Sequence, residues 1–260
     1  MRKKPRTFAV LAATSMGLVG GVLQASSPVA AMPATDEGRA VRHGVCHGVH
    51  DCTVVGRFDV NGNGREDRVG LVNDDRDGYI RKGRVTVRVK TDRGRLVKQR
   101  VVVKNWRGAV WHGKAVLDGR RGREIVIGGD RDKYTMEGPG EPRSFAKGFH
   151  VLTFKPGSDL AKASSPDNRR LWWLTSPDGV RSGGDSAVFY HEWGWWRQRV
   201  DGRVRMQKRW LSTGGAAGVR SKKTVWVWRD GQWRHRSSRP MSDPLDRRYG
   251  GWHARGLPVW

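Results

Sequence analysis

The sequence has few cysteines and few acidic residues, and it lacks the usual signatures of enzymes. Two cysteines in 260 residues allow one intramolecular bridge at most. Asp and Glu number 25 against 50 Lys and Arg, which leaves a formal net charge of +25. Sustained helical periodicity is missing, as are a nucleophile elbow, paired metal-binding histidines and a phosphate-binding loop. These absences argue against a helical fold, and the sequence contains no recognisable catalytic motif.

The first 31 residues have the order of a secretory signal peptide. A basic start is followed by an apolar run from Phe8 to Leu23, and small residues then lead to Ala31. This order predicts cleavage after Ala31. A membrane anchor is the alternative, but the run contains Gly, Ser and Thr and no stop-transfer pattern follows it. We therefore expect a secreted protein, extracellular or attached to the cell surface, without a transmembrane segment and with residues 32–42 as a flexible leader.

The excess of basic residues favours association with polyanions. Outside a cell these could be anionic wall polymers, acidic polysaccharides, phospholipid headgroups or nucleic acid. Lys and Arg are, however, spread through nearly every strand and turn instead of forming one block. This spread favours the alternative, a basic solvated surface without a dedicated partner. The oligomeric state is open.

The two cysteines lie close together, at Cys46 and Cys52. In an exported chain such a pair is typical of a disulfide. The alternative is a transition-metal site, because His43, His47 and His50 fall in the same turn and thiolates and imidazoles bind zinc or copper. We predict the disulfide.

Residues 59–67 have oxygen-bearing side chains at the spacing of a calcium loop. Asp59, Asn61, Asn63 and Asp67 occupy positions one, three, five and nine, and position seven would contribute the backbone carbonyl of Arg65. Glycines lie between them, where the chain must turn sharply. Calcium takes six to eight oxygen ligands, so these five residues are the predicted metal ligands. Apolar runs on both sides predict strands, and position twelve has no glutamate, which excludes a helix–loop–helix site.

Strand patterns continue along the rest of the chain. Residues 53–104 are expected to form four strands, and residues 109–128 repeat the strand–turn–strand pattern at an offset of 57 residues. In this second copy Arg120 replaces a ligand oxygen and is expected to lie near Asp118 and Glu124, so we predict no metal there. Residues 155–186 are interpreted as a connection with one short strand. Residues 187–260 are interpreted as a Trp-rich β region, which brings the total to about a dozen strands.

The segment VVGRFDVNGNGREDRVGLV closely resembles an FG-GAP/VCBS repeat, and VWHGKAVLDGRRGREIVIG is similar to a degenerate second copy. The resemblance implies two repeats over residues 43–154 that fold as blade-like four-stranded units with calcium in the loop. It further implies adhesion or extracellular recognition. We therefore expect an all-β protein, either a partial or small β-propeller or two packed antiparallel sheets.

The final third of the chain contains nine of the thirteen tryptophans. Exposed tryptophans on a sheet stack on sugars or bases, whereas alternating ones are core residues. We favour core, with Trp195 and Trp196 on opposite faces and one of the two open to exposure. Enzymatic activity is uncertain and disfavoured. His191-Glu192 and Asp185-Ser186 are candidate catalytic groups, but no known catalytic motif surrounds them. The expected function is an extracellular binding or structural module, and a hydrolase with unrecognised catalytic groups is the alternative.

Overall fold

The computed structural model describes residues 44–73, 78–133, 145–155, 159–175, 180–182, 189–213, 218–242 and 249–258. The predicted signal peptide and leader lie outside these ranges. Within them the chain forms fifteen strands and no helix, which confirms the all-β prediction. The strands are β1 (Cys52–Phe58), β2 (Asp67–Val72), β3 (Tyr79–Lys90), β4 (Leu96–Arg107), β5 (Trp111–Ala115), β6 (Glu124–Lys133), β7 (Phe145–Phe154), β8 (Leu160–Ala163), β9 (Trp172–Thr175), β10 (Val180–Ser182), β11 (Phe189–Val200), β12 (Arg203–Thr213), β13 (Arg220–Arg229), β14 (Gln232–Pro240) and β15 (Gly251–His253).

The strands form two sheets. The nine-stranded first sheet has the order β1-β2-β3-β4-β6-β7-β8, with β5 also paired to β6 and β9 also paired to β7. The six-stranded second sheet has the order β10-β11-β12-β13-β14, with β15 paired in parallel to β11. The join between β4 and β6 is a single parallel bridge from Lys104 to Asp130. This bridge makes the two predicted four-stranded units parts of one continuous sheet.

Local sequence accounts for the hairpins. Val85, Val87 and Val89 alternate with polar residues on β3 and are all buried, as expected for a strand with one face on the core. The turns Asp201-Gly202 and Asp230-Gly231 have positive φ at both central residues, the conformation that two-residue hairpins require.

The C-terminal strand predictions need two corrections. The sequence predicts separate strands over residues 187–192 and 195–200, but β11 runs unbroken through Trp193 and Gly194 and pairs with β12 at both positions. Gly194 is needed there because a Cβ would lie 2.4 Å from the carbonyl oxygen of Gly251 on the neighbouring β15. Residues 155–186, expected to hold one short strand, contribute β8, β9 and β10, whose pairing depends on distant partners.

One hydrophobic cluster fills the space between the sheets. The first sheet contributes apolar residues of β2, β3, β4, β6 and β7, and the second contributes Trp195, Met206, Trp226 and Trp252. Trp195 and Trp252 are fully buried, and Trp196 is only 8% exposed. The core interpretation of the tryptophans is confirmed for these residues, and the expectation that Trp195 or Trp196 could be exposed is wrong.

Cys46 and Cys52 form a disulfide with their Cα atoms 5.4 Å apart, which confirms that prediction. Since both sulfurs are bonded to each other, they cannot serve as thiolate ligands of a transition metal. The bridged turn packs on the outer side of β2 and β3, where Val45 is fully buried and its carbonyl oxygen accepts a hydrogen bond from Arg88. The disulfide therefore fixes the start of the described chain to the first sheet.

Candidate functional site

The predicted calcium loop connects β1 to β2, and its side-chain oxygens hold the backbone turn in place. The Asp59 carboxylate accepts hydrogen bonds from the backbone N–H groups of Gly62, Asn63 and Gly64, at 2.6, 3.2 and 2.8 Å. Asn61 and Asn63 each accept one from the backbone N–H two residues later. The side chains of the predicted ligands therefore stabilise the loop backbone.

Asp67 closes the loop from the start of β2. It is buried, and its carboxylate accepts hydrogen bonds from the backbone N–H groups of Val60, Asn61 and Asp92 and from the Asn61 side-chain amide. Burial raises the pKa of Asp67, and the negative charge of Asp59 adds to that effect. A divalent cation would offset both contributions.

Asp92, from the turn between β3 and β4, is a further carboxylate at this loop that sequence reasoning missed. Its carboxylate accepts a hydrogen bond from the Asn63 amide at 2.7 Å and lies 3.6 Å from the Arg65 guanidinium. The hydrogen bond from Asn63 is the main cause of a lowered pKa of Asp92. No signal in the sequence links position 92 to position 63, because only the pairing of β2 with β3 brings them together.

The five predicted ligands therefore form one oxygen-rich loop, a donor set that suits a hard cation. Within the described ranges no group of three or more His, Cys, Asp or Glu side chains could hold a metal ion. The loop itself offers two carboxylates, from Asp59 and Asp67, and two amides. Calcium binding consequently remains a prediction.

The second loop, between β5 and β6, repeats the hydrogen bonds of the first at an offset of 57 residues. Leu117 N–H donates to Glu124 as Val60 N–H donates to Asp67, at 2.8 and 2.9 Å. The next backbone N–H, from Asp118, also donates to Glu124, at 3.4 Å. The strand pairs Phe58–Asp67 and Ala115–Glu124 keep the same offset, and so do the bulges that precede them. This offset equals the register that the sequence predicts.

Arg120 in the second loop takes the position of Asn63 in the first. Its guanidinium lies 3.3 Å from the Asp118 carboxylate, as expected. It also donates a hydrogen bond to the carbonyl of Gly231 and lies 4.9 Å from the ring of Trp228. Arg120 therefore connects the second loop to the β13–β14 hairpin of the other sheet.

Glu124 is only 3% exposed, and its side-chain oxygens accept the hydrogen bonds of Leu117 and Asp118. Burial raises its pKa to about 8, and the neighbouring charge of Asp118 contributes.

The first four strands form a basic surface that the sequence does not predict. They contain eleven Lys and Arg residues and one carboxylate, that of Asp67, which is buried. Because side chains alternate across a strand, the basic residues of β3 and β4 collect on the outer side. Cross-strand pairing places Lys82 opposite Lys104, and Lys98 and Arg100 follow on the same side. We call the exposed residues Lys82, Arg84, Lys98, Arg100 and Lys104 the basic face.

Of the residues considered for catalysis, the structure describes His191 and Glu192. Glu192 is buried, and its carboxylate accepts hydrogen bonds from the backbone N–H groups of Tyr249 and Gly250, which anchors the turn before β15. Burial lowers the pKa of the neighbouring His191. Asp185 and Ser186 lie outside the described residues.

Comparisons with protein-family models, with curated proteins and with solved structures found no match to this chain. Among the residues that the structure describes, no helix is long and apolar enough to cross a membrane.

Proposed function

We propose that this chain is a secreted binding module that attaches to anionic polymers through its basic face. The observation that carries the proposal is the alignment of like charges across β3 and β4, where Lys82 lies opposite Lys104. Like charges directly opposite each other destabilise a sheet. A polyanion on this face would offset that cost, which gives the concentration of charge a function.

We further propose that the module is built from FG-GAP/VCBS-type repeats with one weak structural calcium site at Asp59, Asn61, Asn63, Asp67 and the Arg65 carbonyl. The resemblance of the first loop and the 57-residue repetition of its hydrogen bonds support this interpretation. Since the two units are joined through β4 and β6, the proposed arrangement is an open pair of blade-like units instead of a closed propeller. Calcium would stiffen the turn beside the basic face.

Retention on immobilised heparin across a salt gradient tests the proposed binding. Polyanion binding falls steeply with salt, and removing contacts reduces that dependence by about one unit of log–log slope per contact. We expect the double variant Lys98→Glu/Arg100→Glu to elute at clearly lower salt than the wild type.

The matched control is Arg234→Glu/Arg236→Glu, which makes the same change in net charge on exposed residues of β14 in the other sheet. Equal losses of retention in the two double variants would show that net charge alone determines binding, and the basic face would then have no special role. Low-salt elution of the wild type would also contradict the proposal.

A further inference from the structure

The two sheets enclose a cleft at one end of their shared core. It has a volume of about 550 Å³ and lies where the second repeat loop meets the β13–β14 hairpin. Ligand sites in proteins are commonly clefts of about 300–1,000 Å³. We call it the inter-sheet cleft and define it by Asp118, Lys162, Trp228, Gln232 and Trp233, all of which line it.

Tryptophans form one wall of the inter-sheet cleft. Trp228 and Trp233 face each other across β13 and β14, with ring centroids 5.0 Å apart in an edge-to-face arrangement. Both are partly exposed, whereas Trp172 and Trp226, which also line the cleft, are buried. A partly accessible indole offers a flat apolar surface next to a polar rim, the combination that ligand sites use for orientation and contact area.

Hydrogen-bonding groups and cations form the rest of the lining. Ser164, Asn168 and Gln232 are exposed and can both donate and accept, whereas the Asp118 carboxylate can only accept. Lys155 and Lys162 are exposed at the rim. The acidic members contribute little opposing charge, because Asp118 is paired with Arg120 and Glu124 is buried, which raises its pKa to about 8.

These features favour a saccharide over a nucleic acid. A sugar brings many hydroxyl donors and acceptors, which suit Asp118 and the amide and hydroxyl groups, and its ring has an apolar face for tryptophan. A nucleic acid offers fewer hydroxyl groups to these donors and acceptors than a sugar of similar size. The rim lysines add a preference for a sugar that carries an acidic group.

We propose that the inter-sheet cleft binds an acidic oligosaccharide, with Trp233 against a sugar ring, Gln232 and Asp118 bonded to hydroxyls, and Lys162 paired with a carboxylate of the sugar. This site is separate from the basic face and does not depend on it. Through the inter-sheet cleft the module would recognise a particular sugar unit, whereas the basic face would attract any polyanion.

Isothermal titration of the full chain with a hyaluronan tetrasaccharide tests the proposal. Chitotetraose, neutral and with the same amino sugar, and an oligothymidylate of matched charge are the comparison probes. We expect saturable binding of the hyaluronan tetrasaccharide, weaker binding of the other two, and quenching of tryptophan fluorescence on binding. Trp233→Ala and Lys162→Glu should each lower affinity by about tenfold or more.

Gln232→Ala changes an exposed side chain and keeps the fold, so it provides a test that does not depend on the stability of Trp233→Ala. The control is Arg220→Glu, a change of the same charge as Lys162→Glu on an exposed residue at the end of β13 away from Trp228, which should bind the tetrasaccharide like the wild type. Absence of saturable binding, equal binding of chitotetraose, tighter binding of oligothymidylate, or indifference to Gln232→Ala and Lys162→Glu would each overturn the proposal. Loss of heparin retention alone would contradict the proposal for the basic face but not the proposal for the inter-sheet cleft, so the two can be tested separately.

Discussion

Glu124 and Asp67 occupy equivalent positions in the two loops, and each carboxylate accepts consecutive backbone N–H groups. The sequence predicts the first loop, because its oxygen-bearing residues lie at loop positions one, three, five and nine. The raised pKa values of these two acids could not be predicted from the sequence, since they depend on how deeply the folded chain buries each side chain. The first loop also recruits Asp92, and the second recruits Arg120 as a fixed positive charge near Asp118.

Glu124 should make the stability of the protein depend on pH. Its folded pKa of about 8 lies above the ordinary value of 4.5, so the unfolded chain releases a proton that the folded protein retains. The stabilisation from Glu124 is complete below pH 4.5 and is lost as the pH rises towards 8. The melting temperature of the wild type should fall through this window more steeply than that of Glu124→Gln. Parallel pH profiles would contradict this expectation, and Glu66→Gln, at an exposed loop residue, is the control.

The Asp59→Ala variant should lose the calcium-dependent rise in melting temperature. We expect an affinity of about 10⁻⁴–10⁻³ M for a loop of this charge, and calcium at tenfold excess would add about 1.4 kcal/mol to the free energy of unfolding. The sequence alone suggests that the variant keeps an intact fold without calcium. The structure changes that expectation, because the N–H groups of Gly62 and Gly64 lose their acceptor, whereas that of Asn63 keeps Asn61. The calcium-free stability should therefore also fall, by about 1–3 kcal/mol.

Differential scanning calorimetry with calcium and with EDTA measures both effects. Glu66→Ala, in the same loop but not a predicted ligand, should respond to calcium like the wild type. A calcium response that survives in Asp59→Ala would place the ion elsewhere.

At the scale of the structural element, the two loops pack directly on each other. Arg123 N–H donates to the Asp59 carbonyl at 2.9 Å. Gly122 has φ of 93°, and a Cβ there would lie 2.4 Å from the carbonyl oxygen of Val60. The sequence indicates glycine-rich turns but not that the turns face each other. That contact arises from the joining of β4 to β6 in one sheet.

Alanine at Gly122 should therefore cost more stability than alanine at Gly64. Gly64 also has positive φ, 84°, but a Cβ there meets nothing within 4 Å. Gly64→Ala should cost about 1–2 kcal/mol from the left-handed conformation alone, and Gly122→Ala should cost more because the loops must separate. Urea unfolding of the two variants measures the difference, and equal costs would show that the loops do not press on each other.

At the scale of the whole molecule, aromatic residues join the two sheets. Trp172 of β9 lies 5.3 Å from Trp195 and 5.7 Å from Trp252, measured between ring centroids, and Phe149 of β7 also contacts Trp252. The Trp195 indole donates a hydrogen bond to the Trp173 carbonyl across the sheets. This shared core predicts that residues 44–258 unfold in one cooperative transition.

Trp252→Ala should lower the free energy of unfolding by about 3–5 kcal/mol, because it leaves a cavity between the sheets. Trp252→Phe should cost less, since it keeps an aromatic ring and removes an indole N–H that has no hydrogen-bond partner among the described residues. Far-UV and near-UV circular dichroism should show coincident unfolding curves. Two separate transitions would mean that the sheets fold independently.

The sequence by itself determined the strand-rich character, the hairpin turns at Asp201-Gly202 and Asp230-Gly231, the disulfide and the spacing of the first loop, because each depends on residues close together in the chain. The tertiary structure decided which sheet each strand joins, the burial of Trp195, Trp196 and Glu124, the inter-sheet cleft and the basic face. Lys and Arg residues that look scattered along the chain lie together on β3 and β4, because strand pairing and the alternation of side chains act over distances that no local pattern records.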